Sequence, residues 1–108
     1  MNKISGNNTY NVFFRNLANP LRVSIISELK KNESSVGDLS ERLKVEKSKL
    51  SHALKSLKSC NIVDFKQEGK QRIYFLNKKT IIPMLELIDK HSKMFCSGNC
   101  KFCDKERK

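Results

Sequence analysis

A chain of 108 residues has room for one compact domain with a modest core and is too short for most enzymes. Its 22 Lys and Arg against 11 Asp and Glu leave a net charge of +11, doubled in a dimer, which favours a polyanionic partner, nucleic acid ahead of an anionic membrane surface. No apolar run is long enough to span a bilayer and the first twenty residues are too polar for a signal peptide, so a cytoplasmic protein away from membranes is expected.

Residues 1–8 are polar and read as a flexible N-terminus. Tyr10, Val12, Phe13, Phe14 and Leu17 then form an apolar cluster compatible with a first helix. Asn19 is a good N-cap and Pro20 a good first helical residue, so a second helix should run to about Lys31 and bury Leu21, Ile25, Ile26 and Leu29, with Asn32 ending it. Ser35-Val36-Gly37-Asp38 has the spacing of a capping box, and Val36, Leu39 and Leu43 follow at helical intervals. After a turn at Lys44-Val45, a fourth helix should carry Leu50, Leu54 and Leu57 inward and leave Lys47, Ser48, Lys49, Ser51, His52 and Lys55 outside. Two short helices joined by a tight turn are a helix-turn-helix.

Beyond Cys60 the period shortens to alternation: Ile62, Val63 and Phe65 lead to Gln67-Glu68-Gly69-Lys70, and Arg72 to Leu76 follow. This is the pattern of a β-hairpin with Gly69 in its turn, and a basic hairpin directly after the fourth helix has the makings of a wing. Thr80 can cap a last helix in which Ile81, Ile82, Met84, Leu85, Leu87, Ile88 and Met94 exceed the needs of one buried face, so the surplus predicts a dimer seam. Ser97-Gly98-Asn99 should end that helix. The expected organisation is a domain over residues 9–95 followed by a basic, cysteine-bearing tail over residues 96–108. Its fold should be mainly α, five helices plus a two-stranded wing, as a dimeric winged helix-turn-helix.

The stretch from Leu17 to Leu76 closely resembles the ArsR-SmtB family of dimeric winged-helix repressors, many of which sense metals. The resemblance rests on Leu17, Ala18, Pro20 and Arg22 as an opening block, Asp38-Leu39-Ser40 as a second, Leu50-Ser51-His52 with Leu54, Lys55 and Leu57 as a third, and the basic wing around Gly69. It implies a fourth helix that enters the major groove, a wing that follows the backbone or minor groove, and a dimer made by the first and last helices. The residue types suit those roles independently. Lys47, Lys49, Lys55, Lys66, Lys70 and Arg72 can neutralise phosphates, and Ser48, Ser51 and His52 can reach base edges. Any one of these lysines is ordinary as a solvated charge, and His52 is equally ordinary as an exposed residue. As a group they lie on the exposed side of the expected reading elements, which favours double-stranded DNA. Two reading helices about one DNA turn apart predict an inverted-repeat operator.

Family metal sensors hold their ligands on the third helix as Cys-x-Cys or on the last helix as paired Asp, His and Glu. The matching third-helix positions here are Ser35, Val36 and Gly37, so a thiolate site is absent there, and Asp89-x-His91 supplies only the first half of the other pattern. Instead Cys96, Cys100 and Cys103 fall within eight residues, a spacing that can converge on one soft ion such as Zn(II), Cd(II), Pb(II) or As(III), with His91 as a fourth donor. Nearby Lys101, Lys105, Arg107 and Lys108 favour thiolate over thiol, which assists metal binding and oxidation alike. A redox switch therefore stands beside the metal reading, and incidental thiols stand beside both. Cys96-x-x-x-Cys100-x-x-Cys103 also resembles the iron-sulfur signature of radical S-adenosylmethionine enzymes, but five residues after Cys103 hold no catalytic barrel, leaving a sensing cluster as the iron-sulfur option. No Ser-His-Asp set, phosphate-binding glycine loop or catalytic carboxylate pair stands out, so no enzyme is expected. A constitutive architectural DNA-binding protein is the reading from another class. Cys60 is expected to pack as a small buried hydrophobe.

Overall fold

The computed structural model describes residues 5–96. Residues up to Asn77 form one compact unit and those from Lys78 a second.

In the first unit, α1 (Ser5–Ala18) is followed by α2 (Pro20–Lys31), β1 (Ser34–Ser35), α3 (Val36–Leu43), α4 (Lys47–Ser59), β2 (Val63–Glu68) and β3 (Gln71–Leu76). Helix α1 starts at Ser5, inside the segment expected to be a flexible N-terminus. Asn19 caps α2 by accepting from the Arg22 amide, and Pro20 occupies the first turn, where its missing N–H is not needed. Ser35 and Asp38 form the capping box of α3: the Asp38 amide donates to Ser35 Oγ at 3.1 Å and the Ser35 amide to the Asp38 carboxylate at 3.5 Å. Helix α3 ends at Lys44, which takes a left-handed conformation with φ 57°. Its amide and that of Val45 both return to the Ser40 carbonyl, while Ser40 Oγ donates to Val45 O at 2.7 Å. Those bonds turn the chain tightly into α4.

The sheet has three strands in the order β1-β3-β2, one more than the expected two-stranded wing. The addition is the pair Ser34 and Ser35, which lies antiparallel to Tyr74 and Ile73. Two serines carry no apolar alternation, so nothing in their composition marks a strand. Their pairing follows from placement between α2 and the α3 cap. In the hairpin Val63 pairs with Leu76, Phe65 with Tyr74 and Glu68 with Gln71, leaving Gly69 and Lys70 as the turn. Gly69 takes φ 62°, the region open to glycine at no steric cost.

The apolar core of this unit joins one face each of α2, α3, α4 and the hairpin. Ile25, Ile26 and Leu29 of α2, Leu39 of α3, Leu50, Ala53, Leu54 and Leu57 of α4, and Ile62, Val63, Tyr74 and Leu76 of the hairpin are buried. Leu21 is only partly buried, since it sits in the exposed first turn of its helix. One buried polar side chain stands out. Asn16 of α1 accepts from Arg22 and from Ser56 Oγ at 3.2 Å, and donates to Cys60 Sγ at 2.9 Å. Cys60 is thus half-buried at the end of α4 and serves as an acceptor, which its expected role as a plain hydrophobe omits. The node ties α1 to α2 and α4 with its amide satisfied at both ends. Asn16→Leu fits the volume but strands those partners, so chemical denaturation should show a loss of about 1–3 kcal/mol. A loss under about 0.5 kcal/mol would mean the node is dispensable.

In the second unit, α5 (Ile81–His91) runs into a wider π-helical segment (Ser92–Cys96), an irregularity that the sequence pattern does not announce. Pro83 lies in the first turn, where it is tolerated. The Thr80 side chain makes no capping bond, and the turn is closed by its carbonyl, which accepts from the Met84 amide at 3.1 Å. Ile81 is buried, whereas Leu87, Ile88, Met94 and Phe95 are more than half exposed, with values of 66%, 51%, 63% and 66%. In the first unit Tyr10 and Phe14 of α1 are exposed as well, at 63% and 58%. Each unit therefore presents an apolar face that its own residues leave uncovered.

Candidate nucleic-acid interface

The outer face of α4 divides along two lines. Lys47, Ser51 and Lys55 are spaced four apart and stack on one side of the helix. With Lys58 of the last turn they form one wall of a groove of about 860 Å³ whose opposite wall is the hairpin, through Phe65, Gln67, Lys70, Gln71 and Arg72. The groove floor reaches Ser35, Val36 and Gly37 at the start of α3. Ser48, Lys49 and His52 lie on the other side of α4 and line a smaller hollow of about 320 Å³ beside Asn19, Leu21 and Arg22. All of the predicted α4 residues are exposed.

Charge in the groove is one-sided. Lys47, Lys55, Lys58, Lys70 and Arg72 line it, and among the described residues no carboxylate does. Lys47, Lys55 and Lys70 make no ion pair with a described carboxylate. Lys58 Nζ lies 3.7 Å from Asp64, a pair exposed on both sides and therefore weak. Five cations around a concave surface focus a positive potential into it, and a phosphate backbone is the extended anion that fits.

Lys66 is placed differently from the other predicted residues. Alternation along β2 turns Phe65 and Gln67 toward the groove and Lys66 to the opposite face. There its ammonium lies 2.9 Å from Glu33 Oε1 and 3.8 Å from Glu68 Oε2. Hydrogen bonding to Glu33, reinforced by the charges of Glu33 and Glu68, holds its pKa above the ordinary lysine value. Its ammonium thus sits beside two exposed carboxylates on the face of the hairpin turned away from the groove. In its stead the structure brings in Lys58, which sequence reading passed over because it sits in the last turn of α4, beyond the outer residues of the expected reading face.

Ser35, at the family's third-helix thiolate position, is buried, and its hydroxyl accepts from the Asp38 amide. Among the described residues no group of three or more His, Cys, Asp or Glu converges to hold a metal ion. His91 is exposed, with its ring 4.9 Å from that of Phe95. Both line an apolar groove of about 500 Å³ with Met84, Leu87, Ile88 and Met94. Cys96 closes the π-helical segment, and Cys100 and Cys103 lie outside the described residues. No helix among the described residues is long and apolar enough to cross a membrane.

Comparison with known proteins follows the same lines. Residues 19–64 match the model of the bacterial regulatory protein, arsR family. The chain is 33% identical over 88 residues to the transcriptional activator HlyU of Vibrio cholerae, spanning 82% of this chain and 79% of that protein. A solved structure of that protein superposes with a TM-score of 0.70 at 30% identity, covering 87% of this chain and 99% of the other, and another solved form is described as reduced. A transcriptional repressor SmtB homolog of Synechocystis is 32% identical over 79 residues, 73% of this chain and 60% of its own length. A winged helix-turn-helix DNA-binding domain from Mycobacterium bovis, described as homodimeric, shares the fold with a TM-score of 0.73 at 20% identity, covering 82% of each chain.

Proposed function

This chain belongs to the ArsR family of bacterial regulatory proteins and is a DNA-binding transcriptional regulator with a winged helix-turn-helix, not an enzyme; from that premise we propose that it acts as a cytoplasmic homodimer which represses by occupying an inverted-repeat operator and leaves it when a thiophilic ion or metalloid engages its cysteine tail. The observation that carries the DNA part is the groove in which Lys47, Ser51, Lys55 and Lys58 of α4 face Lys70 and Arg72 of the wing with no carboxylate among the described residues. The lysines and Arg72 hold phosphates. Ser51, and on the other flank Ser48 and His52, reach base edges, while Lys49 adds a phosphate contact there. The uncovered apolar residues of α1 and α5 supply a dimer seam, as the homodimeric neighbour suggests.

The effector part rests on donor chemistry. Cys96, Cys100 and Cys103, with the exposed imidazole of His91 nearby in sequence, form a soft donor set suited to Zn(II), Cd(II), Pb(II) or As(III). Drawing these residues together alters the end of the last helix and, through the dimer, the spacing of the two reading helices. Such a population shift loosens DNA only as far as the effector prefers the off-operator geometry. A coupling of about 1–3 kcal/mol corresponds to roughly 5–150-fold in affinity. A thiol-oxidation trigger at the same residues is the second reading, favoured by the basic residues Lys101, Lys105, Arg107 and Lys108 around them and by a relative whose redox state is named in its structure.

Fluorescence anisotropy of labelled DNA from upstream of the chain's own coding sequence tests this, with reduced apo-protein and each ion in turn. Tight binding released by an ion is the expected result. Substituting all three tail cysteines by Ser should leave basal binding intact and abolish the response. Release by a mild oxidant alone would move the trigger to thiol chemistry. Binding no tighter than to random DNA would replace the regulator on that fragment with a DNA-coating role.

A further inference from the structure

Two aromatic rings line the groove, the buried Tyr74 and the half-buried Phe65, and DNA recognition by charge requires neither. Phe65 of β2 stands opposite Tyr74 of β3, with ring centroids 5.4 Å apart and planes inclined by 56°. Tyr74 is buried, so Phe65 is anchored on one side by the core. Elsewhere around the ring are two cations from different elements: the Arg72 guanidinium of β3, 4.5 Å from the centroid, and the Lys58 ammonium of α4, 5.6 Å from it. All three residues line the groove.

We propose that Phe65 is a positioning residue for DNA binding, one that holds Arg72, and secondarily Lys58, ready to receive a phosphate. The inference rests on the reading that the groove takes DNA. Like charges gathered at a junction of helix and wing repel each other and spread into solvent unless something negative lies between them. Here the Phe65 ring offers its negative face to both cations, and the exposed Asp64 carboxylate, 3.7 Å from Lys58, adds to it for the lysine alone. Unlike the carboxylates of Glu33 and Glu68 that pair with Lys66 on the far face of the hairpin, a ring carries no net charge to repel an incoming phosphate. A guanidinium beside a ring keeps its in-plane N–H donors available for a phosphate, and an arginine already ordered loses less rotamer freedom when the phosphate arrives.

The test compares the wild type, Phe65→Leu, Phe65→Tyr, Arg72→Ala and the Phe65→Leu/Arg72→Ala double variant on a fluorescein-labelled mixed-sequence duplex of about 30 base pairs at roughly 0.1 M salt, since phosphate contacts do not depend on sequence. Leucine keeps an apolar side chain and removes the ring; tyrosine keeps the ring. Phe65→Leu should bind about fivefold more weakly, Phe65→Tyr within about twofold of wild type, and Phe65→Leu should add less than about twofold once Arg72 is gone. A merely structural ring would weaken binding to the same extent with or without Arg72, and that result would overturn the proposal, as would equal losses for Leu and Tyr. The underlying reading fails separately: if Arg72→Ala leaves duplex binding unchanged, the groove does not hold the phosphates. Thermal midpoints of all variants identify any loss that comes from unfolding.

Discussion

Replacing Lys47, Lys55 and Arg72 together by alanine is expected to weaken operator binding by at least about a hundredfold at roughly 0.15 M salt, and to flatten the dependence of log K on log salt by about 5 for a dimer. All three side chains are exposed and line the groove between α4 and the wing, so the substitution removes charge without opening the core. The slope follows from counterion release. Each phosphate neutralised on B-DNA contributes about 0.9, and three residues on each of two protomers make six contacts. Lys66→Ala is the internal control. Its charge is equal, but it faces Glu33 and Glu68 on the far side of the hairpin, so its removal should leave both affinity and slope near wild type. If the triple variant kept the wild-type slope, the phosphates would lie elsewhere. If Lys66→Ala cost as much as Arg72→Ala, the assignment of the groove face would be wrong.

That contrast also shows what can be seen in the residues before folding. The helices are set by local signals that survive into the structure: Asn19-Pro20 at the start of α2, the Ser35 and Asp38 box at the start of α3, and the leucines at 50, 54 and 57 that bury one side of α4. Gly69 marks the wing for the same reason, since a two-residue turn needs positive φ. Charge alone does not say which face of a strand a lysine occupies. Lys66 and Arg72 look alike in a basic hairpin, and only the register, with Phe65 opposite Tyr74 and Gln67 opposite Arg72, sends one away from the groove and the other into it. Tertiary placement likewise decides the features with no local mark. Ser34-Ser35 becomes a strand because β3 passes beside it, and Asn16 becomes a buried node because Arg22, Ser56 and Cys60 converge on it across 6, 40 and 44 positions of sequence. An asparagine set among Phe13, Phe14 and Leu17 in the apolar cluster of a first helix does not announce which distant groups it will meet. The thiol spacing, by contrast, is a purely local signal for chemistry, and its geometry lies outside the described residues beyond Cys96.

Leu54→Ala should be among the most damaging single substitutions on the reading helix, although it touches no nucleic acid. Leu54 is fully buried in α4, which packs against α2, α3 and β2. Truncation removes its transfer free energy and leaves a cavity that three neighbouring elements cannot close, a cost of about 2–5 kcal/mol. Against a total stability of roughly 5–15 kcal/mol this is a large fraction, and the thermal midpoint of the protein should fall by roughly 10–20 °C. Ser51→Ala, three residues earlier on the same helix, provides the opposite case. Ser51 is exposed and lines the groove, so its loss should leave the midpoint within about 2 °C while reducing discrimination between operator and random DNA. The two measurements cross only if α4 is oriented as described. Ser51 and Leu54 stand about 60° apart around the axis, so a rotation of roughly that size would carry the hydroxyl into the place the leucine now holds and make Ser51→Ala the substitution that reaches the core. The same 3.6-residue period that sorts leucines from lysines in the sequence therefore determines which substitution costs the fold and which costs the DNA.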